Sequence, residues 1–317
     1  MLDTIPTISD GIRLSVRGLP NLLRKNQQEY RQEGGKQNSS FSQLAKKKHK
    51  AIRDILTLGF AELIGTALLL FLGCMGCVTT PESIPVSHHL SGIIFGFVVL
   101  LIIQLFGHIS GAHLNPAVTF SSAIQGQLRP ILIPIYIVAQ FIGALLGFAM
   151  LKVLLPPELT SKAFFNPETN QTEYKYGLCS TTVHPKVSTI QGLTIEVIIT
   201  TVLIMVCCAV WDKKNETKTD STAIRFGCVV SVISMVAGPF TGASMNTVRS
   251  FAPALFNNDW NSHWIYWVGP TLGSLIGTFC YKFVFESSPE DFNDDKLNNI
   301  EDIPLNENGF DTKNNIV

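Results

Sequence analysis

With 317 residues, 46% of them hydrophobic and only 15% charged, the chain falls well short of the roughly 25% charged residues of a soluble domain and needs an apolar solvent for its centre. Its charge is segregated: residues 1–53 hold 11 Lys/Arg against 4 Asp/Glu, and residues 286–317 hold 9 acidic residues against 2 Lys. A formal net charge of zero without basic–aromatic interleaving gives no support to nucleic acid as a partner. No nucleophile–base pair, metal-ligand spacing or phosphate loop marks an enzyme or asks for a cofactor.

Residues 1–53 are rich in Gln, Lys, Ser and Arg, lack apolar periodicity, and read as a disordered basic tail. The first apolar run begins near Leu56, too far in for a cleaved signal peptide. Six long apolar segments follow, at about 55–78, 90–108, 130–155, 190–211, 223–240 and 262–285. Each reaches or nearly reaches the ~20 residues that a helix needs to cross about 30 Å of hydrocarbon. The acidic, Asn-rich stretch 287–317 reads as a second disordered tail, leaving 54–286 as the membrane domain.

Orientation follows from the Lys/Arg bias. Lys46, Lys47, Lys48, Lys50 and Arg53 precede the first span, Arg129 lies between spans two and three, and Lys213, Lys214, Lys218 and Arg225 lie between four and five. All fall on one side of an even-numbered bundle, which puts both termini in the cytoplasm and the 156–188 loop outside. That loop carries a glycosylation sequon at Asn170-Gln171-Thr172, although Asn38-Ser39-Ser40 shows how readily such tripeptides arise. The basic run 46–53 reads as a topology anchor, with binding to anionic lipid as the alternative. Cys74, Cys77, Cys207, Cys208 and Cys280 sit at the ends of apolar runs, Cys228 lies inside one, and Cys179 falls in the long loop. No disulfide framework is expected, and the Cys74/Cys77 pair reads as small packing residues in a helix.

Two short segments break the span pattern and align without gaps: Ser110-Gly-Ala-His-Leu-Asn115-Pro116-Ala117-Val-Thr-Phe120 and Thr241-Gly-Ala-Ser-Met-Asn246-Thr247-Val248-Arg249-Ser-Phe251. Each follows the second span of a three-span half. Each half opens with a glutamate inside its first span, Glu62 and Glu196, and its third span carries a Gly-x-x-x-Gly pair, Gly143/Gly147 or Gly273/Gly277. Three spans per copy invert the second half (about 189–286) against the first (about 54–155), which brings the special segments to the midplane from opposite faces. Asn is a strong helix N-cap and Pro suits the first helical position, so each motif starts a half-helix whose positive dipole end points at the membrane centre. The irregular stretch before it is tolerable only where it lines a cavity. Capped Asn side chains still offer N–H donors to a lumen.

Over about residues 55–285 the chain resembles the major intrinsic proteins, the aquaporins and aquaglyceroporins. The strings that carry the resemblance are AELIGT (61–66), GHISGAHLNPAVT (107–119), TGASMNTVRSFAPAL (241–255) and HWIYWVGP (263–270). It implies an all-α membrane protein: six transmembrane helices plus two re-entrant half-helices in two inverted repeats, assembled as a homotetramer with one pore per subunit. It also implies water and small neutral solutes as cargo, no cofactor, and a plasma-membrane location. In this family Glu62 and Glu196 receive backbone N–H groups of the re-entrant loops, rather than relaying protons. His113 and His108, beside the first motif, read as structural histidines with pH sensing as the alternative. Gln104 and Gln140 read as interhelical hydrogen-bonding groups.

The resemblance also carries four filter positions onto Phe95, Ser234, Ala243 and Arg249. Water-selective members usually have His where Ser234 stands, so this aperture is expected to be wider, with a polyol's carbons against Phe95 and Ala243 and its hydroxyls on Arg249 and Ser234. Ser234 capping a helix carbonyl, with another side chain filling the gap, is the alternative. Ser250, Ala254 and Tyr266-Trp267 depart from the glycerol-facilitator pattern, a combination that resembles the insect entomoglyceroporins. The expected function is passive passage of water, glycerol and urea across the bilayer. A water-selective pore, or an ion-conducting one arising from the Thr247-Val248 change, is the alternative.

Overall fold

A computed structural model describes residue 43 and residues 46–78, 86–157, 159–166, 171–215 and 217–286, with backbone alone for 161–166 and 171–176. Asn170 and the terminal stretches 1–42 and 287–317 lie outside the described residues. The chain divides into two compact units, Met1–Leu56 and Thr57–Val317. A first helix, α1 (Lys46–Met75), starts in the former, and the architecture below is that of the latter.

Among the described residues, five helices are long and apolar enough to cross a membrane: α1, α2 (His88–Ser110), α4 (Leu132–Leu154), α5 (Thr189–Trp211) and α6 (Thr222–Thr241). A sixth, α8 (Ile265–Val284), has 20 residues but is diluted by Gly, Ser, Thr, Pro and Lys. Its place is secured by packing. Two half-helices complete the set: α3 (Pro116–Ile124), 9 residues, and α7 (Thr247–Asn257), 11 residues. Between α4 and α5 the connecting segment is not wholly irregular. It holds an antiparallel hairpin, β1 (Ser161–Asn166) with β2 (Gln171–Tyr176), registered Ser161 to Tyr176 and Asn166 to Gln171.

The glycine pairs set how the halves pack. A methyl group at Gly143 or Gly147 of α4 would run into the Leu63 and Ala67 carbonyls of α1. In the other half, a methyl at Gly273 of α8 would stand 2.7 Å from the Val197 carbonyl of α5, and one at Gly277 would stand 2.8 Å from that of Thr201. Backbone thus packs on backbone in both repeats, as small residues allow in a membrane. Helix α2 packs on α6 across the repeats. The core sits around Leu70, Ile102, Phe148 and Leu151, all fully buried, while Phe97 is 64% exposed and Val153 83%. Apolar side chains turned outward on that scale suit lipid rather than water.

Candidate functional site

The two re-entrant loops are built alike. Helices α2 and α6 end in a left-handed glycine, Gly111 at φ 84° and Gly242 at φ 79°, a conformation that costs a side chain-free residue nothing. Left-handed backbone then recurs at Ala112 and Leu114, and at Ala243 and Met245. Such geometry persists only where the surroundings impose it, and the two buried glutamates do so. Glu62 accepts from the Ser110 hydroxyl (2.7 Å), from the amides of His113 (2.9 Å) and Leu114 (2.8 Å), and from Gln140 Nε2 (2.8 Å). Glu196 accepts from the Thr241 hydroxyl (2.6 Å) and the amides of Ser244 and Met245 (3.0 Å each). A buried tyrosine completes each copy, Tyr136 donating to the Ser110 carbonyl (2.9 Å) and Tyr266 to that of Thr241 (2.7 Å).

Asn115 and Asn246 cap the half-helices: their Oδ1 atoms accept from the Ala117 amide at 2.9 Å and the Val248 amide at 3.1 Å. Their amide nitrogens engage each other's loop, Asn115 Nδ2 donating to the Met245 carbonyl and Asn246 Nδ2 to that of Leu114, both at 2.8 Å. One N–H of each amide is therefore engaged across the pseudo-twofold, and one remains for the lumen. Helix α7 starts at Thr247 without a proline, and Val248 is fully buried, so the altered motif still opens a capped helix.

A cavity of about 800 Å³ runs past both caps and is lined by Phe95, Ser234, Ala243 and Arg249 together with Asn115 and Asn246. The Arg249 guanidinium lies over the Phe95 ring, 4.5 Å from its centroid, and its Nη1 donates to the Cys179 carbonyl at 2.8 Å. His113 also lines the cavity and sits 3.3 Å from Thr119 through Nδ1. Gln140 bridges Glu62 and Thr119, whereas Gln104 departs from the interhelical role expected of it and faces the cavity. Gln104 lies in α2, on the cavity side of a helix whose sequence alone does not tell lumen from lipid.

Two features escape the sequence reading. Cys74 and Cys179 form a disulfide, against the expectation of none and of Cys74 as a packing residue. The pair lies 105 residues apart in sequence, and only the approach of the α4–α5 loop to the C-terminal end of α1 brings them together. The one signal was that Cys179 alone stood in a long loop. The Tyr136/Tyr266 pair was the other omission. Both tyrosines stand seven residues before the first glycine of their Gly-x-x-x-Gly pair, so aligning the halves on those glycines would have found them.

These features define an integral multi-pass membrane protein built around a pore from two inverted repeats. Residues 47–281 match the family model described as Major intrinsic protein, and the chain belongs to that family. Proteins of that family are channels rather than enzymes. The chain is 35% identical over 228 residues to aquaporin-4 of Mus musculus (71% of this chain, 66% of that protein) and 37% over 204 residues to aquaporin-4 of Bos taurus (64% and 58%). The chain thus spans 66% and 58% of the length of these two relatives. Lens fiber major intrinsic protein of Lithobates pipiens is 33% identical over 225 residues, covering 71% of this chain and 80% of that protein. In fold, the chain is similar to the aquaglyceroporin from Plasmodium falciparum, with a TM-score of 0.56 at 22% identity over 73% of this chain and 96% of that one.

Proposed function

We propose that the channel passes water and small uncharged solutes such as glycerol and urea, and excludes ions and protons. The carrying observation is Ser234, a hydroxymethyl group lining the same cavity as Phe95, Ala243 and Arg249. A small side chain there leaves room for a three-carbon solute, whose carbons meet Phe95 and Ala243 while its hydroxyls meet Arg249 and Ser234. Selectivity of this kind rests on aperture and on the hydrogen-bonding groups lining it. The same reading makes Phe95, Ser234, Ala243 and Arg249 the filter and the Asn115 and Asn246 motifs the central constriction. It assembles the chain as a homotetramer in the plasma membrane, with both termini cytoplasmic.

One observation favours the water-selective reading. His88 lines the cavity too, and its Nδ1 lies 3.8 Å from where a Gly238 methyl would stand, one helical turn from Ser234. Swelling of proteoliposomes in osmotic and in glycerol gradients separates the two. Wild type is expected to take up glycerol, and Ser234→His to cut that uptake about tenfold or more while water flux holds. A wild type that swells in water and takes up no glycerol overturns the wide-filter reading, and recovery of uptake in His88→Ala assigns the narrowing to His88.

A further inference from the structure

Next to the filter residues stands a covalent bond between α1 and the segment that joins α4 to α5. Cys74, fully buried near the end of α1, is bonded to Cys179. Its neighbour Gly73 lies beneath Phe95: a methyl at Gly73 would stand 2.5 Å from Phe95 Cε1. Two consecutive residues of α1 therefore seat one wall of the aperture and tether the segment that holds another.

That segment meets the pore through the Cys179 carbonyl, 2.8 Å from Arg249 Nη1, which also lies 3.5 Å from Cys179 Sγ. The backbone at Cys179 is left-handed, φ 64°, which a residue other than glycine adopts only when its surroundings over-determine it. Helix α7 supplies part of that constraint. Asn257 Nδ2 donates to the Leu178 carbonyl and to Ser180 Oγ, both at 3.0 Å, and Thr181 Oγ1 donates to Ser250 Oγ at 2.7 Å. The covalent tie to α1 is the disulfide.

We infer that the Cys74–Cys179 disulfide is a specificity-determining positioning element: it fixes the carbonyl that holds the Arg249 guanidinium over Phe95. This rests on the reading of Phe95, Ser234, Ala243 and Arg249 as the filter. Arginine carries high rotamer freedom and needs acceptors for its donors. Without a fixed carbonyl its head turns into the space that Ser234 leaves open, and there it obstructs a polyol before it obstructs water.

The test uses the full-length protein in vesicles, with water and glycerol permeability measured before and after treatment with a trialkylphosphine. With water, the phosphine converts the disulfide to two thiols and itself to the phosphine oxide, and thiol labelling with mass spectrometry reports completion. The double variant Cys74→Ser/Cys179→Ser and the single variant Cys74→Ser give the same state without reductant, should the buried bond resist it. Glycerol permeability is expected to fall about tenfold, the equivalent of one charge-assisted hydrogen bond, and water permeability by less than about threefold. The double variant is expected to ignore the phosphine. A lowered thermal stability with an unchanged glycerol-to-water ratio marks a merely structural bond and overturns the inference. If wild type passes no glycerol, the wide-filter reading fails separately. The inference then stands if water permeability drops on loss of the disulfide and falls if it does not.

Discussion

Glu62 and Glu196 show what a single buried acid does in this molecule. Carboxylates in an apolar interior are costly unless their lone pairs are occupied, and here backbone amides and hydroxyls of an otherwise unsupported loop occupy them. The loop needs the acid, and the acid needs the loop. Glu62→Gln replaces an acceptor oxygen with an N–H₂ that faces amide or side-chain donors already pointing at it. It is expected to cost about 2–3 kcal/mol, since a buried donor is left without a partner. Glu196→Gln is expected to cost less, because Glu196 takes no bond corresponding to that from Gln140. Thermal unfolding in detergent reads both. A Glu62→Gln protein that melts with wild type removes the glutamate as support for the loop.

At the scale of elements, the question is how a half-helix forms without Asn-Pro-Ala. Pro at the first helical position pre-sets the backbone and gives up only an N–H that the helix leaves unpaired anyway; the cap satisfies amides that would otherwise be orphaned. Helix α7 keeps the cap and starts at the expected residue. Thr247→Pro is therefore expected to leave the fold and water permeability intact, with stability raised by about 0.5–1 kcal/mol through the unfolded chain. Asn246→Ala is expected to lose about 1–2 kcal/mol for the cap and, in addition, the bond to the Leu114 carbonyl. Melting temperature and osmotic permeability of the two variants check this; equal damage from both would mean that the proline position, not the cap, sets the helix.

The elements that the sequence made legible share one property: local chemistry with a fixed period. Apolar runs of spanning length, a capping Asn beside a half-helix, and glycines four apart each declare themselves within a few residues, and the gap-free repeat locates the midplane. What stayed hidden depends on pairs far apart along the chain. The Cys74–Cys179 bond, the Cys179 carbonyl on Arg249 and the lumen-facing side of Gln104 are set by how a loop or helix is rotated against others. Neither hydropathy nor spacing encodes that rotation. The strands β1 and β2 were hidden for a related reason, because a short hairpin between spans carries no membrane-length signal.

At the scale of the whole molecule, the proposed exclusion of ions and protons would rest on the inversion of the repeats. Each half-helix places about half a positive charge at its N-terminus, and α3 and α7 are joined cap to loop at those ends. Arg249, in the first turn of α7, adds a full charge. Among the described residues lining the cavity, the acidic one is Asp220, a single carboxylate rather than a ring. On the proposed reading, the barrier to a cation or hydronium would come from both the Arg249 side chain and the two backbone dipoles, while a neutral solute would meet hydrogen-bonding groups alone. Arg249→Ala is expected to keep water permeability within about threefold, since the aperture only widens. The same change is expected to open a proton leak, visible as faster dissipation of a pH gradient across vesicles, without opening alkali-cation currents, because the two dipoles remain. Measurable currents under voltage clamp in wild type, abolished by replacing Asn246, would instead support an ion-conducting pore and overturn exclusion as the working of the central motifs.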